Sequence, residues 1–158
     1  MLWLALYFPQ LPLEVVMRGR QQAGALAVVE TGEGRDRIGR CNAAAGTYGI
    51  CPGMALPAAL ALCDHLDVYR RDRVRERHAL HDLASWAYQF SARISQEPSL
   101  LLVEVGASRR LFGGLPKLLA QVRHELGQLG YSARHALAPT ATAAGLLARC
   151  NGDCEVST

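Results

Sequence analysis

The sequence predicts an α+β fold: a ferredoxin-like βαββαβ core into which a small α/β lobe is inserted. Three observations carry that expectation. Two uncharged apolar runs, residues 2–8 and 100–103, have the composition of strands buried on both faces at the centre of a sheet. Two long stretches, starting near Asp72 and at Leu115, repeat apolar residues at helical spacing. Between the first strand and the first long helix, residues 13–70 hold only short apolar runs punctuated by glycine and proline, as an inserted lobe would. With 158 residues, 50% of them apolar and 20% charged, the chain can bury a proper core.

Residues 2–8 are too short to span a bilayer and lack the basic start and cleavage site of a signal peptide. They read as a strand, closed by the rigid turn Pro9-Gln10-Leu11-Pro12. Residues 13–17 form a short helix. Residues 25–29 and 37–41 read as a hairpin turning at Thr31-Gly32-Glu33-Gly34. Residues 42–45 suit a brief helix and residues 47–54 a loop. Residues 56–63 are an apolar helix with Pro57 in its first turn, where a missing N–H costs nothing. Val68-Tyr69 returns the chain to the core.

From Asp72, the residues Val74, Leu80, Leu83, Ala84, Ala87, Phe90 and Ile94 predict one long amphipathic helix. Its start carries Arg70, Arg71, Arg73, Arg75 and Arg77, offset by Asp72 and Glu76. Two readings stand there, a salt-bridged solvated face or a phosphate-facing stripe. Residues 91–96 and 100–105 read as two strands joined around Glu97-Pro98-Ser99. Leu115, Leu118, Leu119, Val122, Leu126 and Leu129 define a helix that Gly130 stops. Residues 131–138 follow as a strand, and Thr140 caps a last helix running to about Arg149. Residues 1–12 and 71–150 thus form the core, residues 13–70 the lobe, and residues 151–158 a disordered tail.

A net charge of +3 permits contact with nucleic acid without demanding it. Five cysteines, an odd number, suit a reducing cytoplasm, and Cys150-x3-Cys154 is not a zinc spacing. His78 and His81 lie one turn apart among polar neighbours and suit a wet helix face. No phosphate-cradling glycine motif and no nucleophile elbow is present.

Residues 49–66, GICPGMALPAALALCDHL, resemble the fingers segment of Y-family translesion DNA polymerases (the impB/mucB/samB, UmuC/DinB-type family), with its "GM" and its "AL-x-LC-x-HL" helix. Residues 42–48 then match the family's "NYEARKF" run, residues 2–14 its "DMDxFFxxVE" palm strand, residues 99–105 its "DEAxLDV" strand, and residues 140–149 its "APNKFLAKIA" helix. The resemblance implies a palm with inserted fingers, and it also exposes a deficit. Nucleotidyl transfer uses two divalent ions, which carboxylates must hold. The two aspartates of the first motif fall on Ala5 and Tyr7, and the Asp–Glu pair of the second falls on Ser99 and Leu100. Triphosphate-binding positions fall on Ala43, Gly46 and Thr47. No acid precedes Glu14, so a slipped alignment does not restore the first motif.

That pattern is similar to the ImuB-like subgroup, catalytically inactive relatives acting in bacterial damage-induced (SOS) mutagenesis. Leu2-Trp3-Leu4-Ala5-Leu6-Tyr7-Phe8-Pro9 and Leu111-Phe112-Gly113-Gly114 carry the likeness. It implies a cytoplasmic, nucleoid-associated pseudo-polymerase in DNA repair, with no cofactor and no membrane. Its partners would be DNA, a sliding clamp, an error-prone replicative-type polymerase and a RecA-like accessory protein. Thumb, little finger and C-terminal partner-binding segments are expected beyond Thr158, which leaves DNA binding weak. Arg18, Arg20, Arg35, Arg37 and Arg40 on the lobe, with Arg109 and Arg110 after the central strand, are the candidate phosphate contacts. Two alternatives stay open. One is a diverged active polymerase, using Mg²⁺ and acids such as Glu97 or Glu104; the other is a protein-interaction module that meets no DNA.

Overall fold

The computed structural model describes residues 1–21, 24–150 and 154–155. The elements follow in the order β1 (Trp3–Tyr7), α1 (Leu11–Met17), β2 (Leu26–Gly32), β3 (Arg35–Cys41), α2 (Ala43–Thr47), α3 (Leu56–Leu62), β4 (Asp67–Arg70), α4 (Arg73–Ala87), β5 (Ile94–Glu97), β6 (Leu100–Glu104), α5 (Leu115–Leu129), β7 (Arg134–Ala138), α6 (Ala141–Cys150) and β8 (Cys154–Glu155). They divide between two compact units, one of Met1–Leu11 with the chain from Val74 onward, the other of Pro12–Arg73.

In the first unit the strand order is β5-β6-β1-β7-β8. β1 lies between β6 and β7 and is antiparallel to both, with Ala5 opposite Leu102 on one side and Ala136 on the other. This is the ferredoxin-like βαββαβ arrangement, and the uncharged run 2–8 does occupy its centre. The pleat sends Ala5, Leu100, Leu102, Ala136 and Ala138 to one face, where they pack with Ala144 and Ala148 of α6. Leu4, Leu6, Leu101, Val103 and Leu137 alternate with them and are buried as well. The inward stripes of α4 (Leu80, Leu83, Ala87) and α5 (Leu118, Val122, Leu126) are equally buried.

Three local expectations need correction. The long helix ends at Ala87, not at Ile94. Phe90 is buried in the turn that follows, against Trp86 and Phe112 (centroids 5.2 and 5.3 Å apart), and Ile94 begins β5. The apolar rhythm ran on through them because a turn and an edge strand also need residues to bury. The strand expected over 91–96 is therefore Ile94–Glu97. In the tail, Cys154–Glu155 pairs parallel to β7, while residues 151–153 and 156–158 lie outside the described residues.

Where α4 meets α5, the Glu125 carboxylate accepts hydrogen bonds from Trp86 Nε1 (2.7 Å), Gln89 Nε2 (2.8 Å) and Gln121 Nε2 (2.8 Å). Burial pushes its pKa up. The three bonds and the nearby His124 outweigh that and hold it below the usual value. A lowered folded-state pKa means stability that is present above the unfolded value of about 4.3 and lost as pH falls through the folded one. Glu125→Leu is therefore expected to cost about 1–2 kcal/mol near neutral pH and much less in acid, read by urea unfolding at both pH values.

The second unit is a three-stranded sheet, β3-β2-β4, in which β2 and β3 form the expected hairpin and β4 runs parallel to β2. One face (Ala27, Val29, Ile38) packs on Ala45, Ile50, Ala59 and Cys63 from α2, α3 and their connections. Leu26 and Val28 on the other face pack on Leu13 and Val16 of α1. No helix among the described residues is long and apolar enough to cross a membrane.

Candidate functional site

The first candidate region is the face of the first unit's sheet under α6. Ala5 is fully buried there and Leu100 is 1% exposed. α6 comes close because Gly145 faces Leu100; a Cβ on Gly145 would stand 3.1 Å from Leu100 Cδ2. Ser99 sits in the tight turn between β5 and β6 with φ +58°, after Pro98, and its carbonyl accepts the Phe8 N–H at 2.8 Å. That bond ties the β5–β6 turn to the end of β1. Tyr7 keeps its ring half-buried, 6.0 Å from the Arg149 guanidinium carbon. Arg149 Nη2 also donates to Glu97 Oε2 at 3.0 Å. Tyr7, Ser99 and Leu100 thus lie at one end of the sheet, with Ala5 in mid-strand, beside a cleft of about 270 Å³ lined by Glu97, Leu100, Thr142, Leu146 and Arg149.

A pair of hard divalent ions does not fit this donor set. One exposed carboxylate borders the cleft, Glu97, and its charge is met by an arginine. Glu104 is buried and turned to the backbone, accepting from Leu2 N–H (3.2 Å) and Gly106 N–H (2.9 Å). It fastens β1 to the end of β6. Among the described residues, no three His, Cys, Asp or Glu side chains are grouped to hold a metal. Arg149 joins this region without any signal in the sequence: it is 52 positions from Glu97 in the chain, and no local pattern links the two.

The second region is α2 in the other unit. Asn42 caps it: Oδ1 accepts from Ala45 N–H (2.9 Å) and from Leu26 N–H (3.0 Å), and Nδ2 donates to the Gly24 carbonyl (2.9 Å). Ala43, Gly46 and Thr47 are exposed on this helix. The Thr47 hydroxyl donates back to the Ala44 carbonyl at 2.6 Å. The outer surface of α2 therefore offers a phosphate no charged side chain.

Three of the seven candidate basic residues make side-chain contacts within the lobe. Arg20 lies over the Tyr69 ring at 4.3 Å and donates to its hydroxyl. Arg37 donates to the Gly53 carbonyl (3.0 Å) and Arg40 to that of Gly39 (2.7 Å). Arg18 is exposed at the end of α1 and Arg35 is exposed at the start of β3. Arg109 and Arg110 are exposed in a 3₁₀ turn, Ser108–Arg110. At the head of α4, Arg70 pairs with Asp36 (3.2 Å) and Arg71 with Glu30, which fits the salt-bridged reading of that charge run for these two. The Thr31 hydroxyl bond and then the Arg70 charge hold the Asp36 carboxyl below its ordinary pKa.

The comparisons agree on kind. The chain is 32% identical over 110 residues to Protein ImuB of Caulobacter vibrioides, a match that takes in 69% of this chain and 24% of that protein. It thus spans about a quarter of the length of that relative. Among solved structures, it shares its fold with a post-insertion binary complex of Dbh DNA polymerase: TM-score 0.75, 13% identity, covering 98% of this chain and 47% of that one. DinB from Sulfolobus solfataricus gives a TM-score of 0.68 at 14% identity, covering 98% and 47%. The impB/mucB/samB family model matches residues 10–149, nearly the whole chain. The resemblance read from residues 49–66 therefore holds: this chain belongs to the impB/mucB/samB family.

Proposed function

We propose that this chain is the non-catalytic palm-and-fingers portion of an accessory protein in error-prone translesion synthesis. One observation carries the reading: the sheet face that would need carboxylates presents Ala5 and Leu100, both buried where α6 packs. An ion held there would have to be desolvated against alkyl groups, at a cost that Glu97, already paired with Arg149, does not offset. The module binds without turning over. Clamp, replicative-type polymerase and RecA-like partners belong, on this reading, to a longer protein.

Primer extension with each deoxynucleotide and either Mg²⁺ or Mn²⁺ tests the first half of the reading. No incorporation above a protein-free control is expected, and extension lost in Glu97→Gln would establish the active-polymerase alternative. For the second half, duplex DNA is expected to bind weakly, with affinity falling steeply as salt rises. Charge reversal at Arg35, Arg109 or Arg110 should weaken binding uniformly across sequences. Tight binding at physiological salt, or binding indifferent to those changes, would contradict the assignment. A second reading, protein contact, draws on α3: it carries no polar side chain and leaves Leu60 (39%) and Leu62 (48%) exposed. A partner captured through α3 would stay bound at high salt.

A further inference from the structure

Residues 53–55 lie against β3. Ile38 N–H donates to the Met54 carbonyl (2.8 Å), Gly53 N–H donates to the Ile38 carbonyl (2.7 Å), and Arg37 bridges antiparallel to Ala55. Residues 51–54 then close a turn, Met54 N–H donating to the Cys51 carbonyl at 3.3 Å. On the far side of that turn the Cys41 thiol donates to the Ile50 carbonyl at 3.5 Å, the peptide unit that leads directly into Cys51. Cys41 is half-buried, Cys51 is exposed, and both are free thiols. From this geometry we infer that Cys41 and Cys51 form a reversible dithiol–disulfide pair, a modification site addressed by low-molecular-weight disulfides.

The order of events follows from exposure. Cys51, reachable by solvent, attacks a small disulfide RSSR as its thiolate; a Cys51–SR bond forms and RS⁻ leaves. Burial, and then the charge of Cys51, holds the Cys41 thiol above its ordinary pKa. The Cys41 thiolate then attacks the Cys51 sulfur and expels the second RS⁻. Two protein thiols are oxidised, RSSR is reduced to two RSH, and the two cysteine protons end on the leaving thiolates. The new bond closes the segment from residue 41 to residue 51, which carries all of α2. Oxidation would therefore tether the helix that holds Ala43, Gly46 and Thr47. Cys63, 2% exposed in the lobe core, is shielded from the reagent.

The test is to incubate the reduced chain with glutathione disulfide as the probe and map the products by peptide mass spectrometry. Expected are Cys41 and Cys51 peptides joined and two hydrogens lighter than their sum, no lasting glutathione adduct on Cys51, and reversal by a dithiol. Cys41→Ser should trap the adduct on Cys51. A stable Cys51 adduct in the wild-type chain, or Cys51 linked to Cys63, Cys150 or a second chain, would overturn the pair. Should Cys41→Ser fail to fold, the wild-type arm alone decides.

Discussion

Ala5→Asp is expected to destabilise the first unit by about 3–5 kcal/mol, the usual penalty for an unpaired buried charge, without creating a metal ligand. Ala5 has no exposed surface; Leu102 and Ala136 flank it in the sheet, and Ala144 and Ala148 of α6 pack with them. A carboxyl there must either stay protonated or push α6 away, and both erode the native state. Leu100→Glu, at 1% exposure, should behave alike. Ser99→Asp, in a left-handed turn that aspartate tolerates, should change stability by no more than about 0.5 kcal/mol. Urea unfolding followed by far-ultraviolet circular dichroism reads all three. An Ala5→Asp chain of wild-type stability that titrates with Mn²⁺ would mean that this sheet face is open, and the non-catalytic reading would lose its main support.

Asn42→Ala should cost about 2–3 kcal/mol, because one side chain serves three backbone groups. Its amide oxygen caps α2 and satisfies Leu26 N–H at the start of β2, and its nitrogen reaches the Gly24 carbonyl. The cap contributes about 1 kcal/mol, and stranding a strand-end N–H adds about 1–2 kcal/mol. Asn42→Asp keeps both acceptor bonds and loses only the donor, so its cost should be about half as large. Amide exchange at Ala45 and Leu26 separates a local effect from a global one: both amides should lose protection in the alanine variant and keep it in the aspartate variant. Unchanged protection would mean that the loop following β1 and α1, not Asn42, holds α2 in place.

How far the chain could be read depended on whether the relevant forces act locally. β1 was legible because a charge-free run ended by Pro9 has few ways to be satisfied in water. α5 was legible because its apolar spacing, Pro116 near its start and Gly130 at φ +83° after it all agree. The fingers segment was legible as a motif, and its Asn42 cap sits where a helix-starting residue belongs. α4 was overrun at its end because Phe90 and Ile94 are apolar for reasons that lie elsewhere in the fold, in the contact with Phe112 and in an edge strand. Cys154–Glu155, in a tail without periodicity, takes its strand geometry from β7.

The candidate site divides along the same line. That no acid precedes Glu14, and that Ser99 and Leu100 follow Pro98, are covalent facts which settle what donors the chain can bring. That Ala5 and Leu100 are sealed, that Arg149 meets Glu97 and Tyr7, and that Glu104 turns to the backbone were decided by α6 docking on the sheet and by strand pairing. Composition and spacing report which surfaces a segment must bury or wet. Which distant segment supplies the partner depends on the register of strands and the close approach that Gly145 allows, and those exist only once the chain has folded.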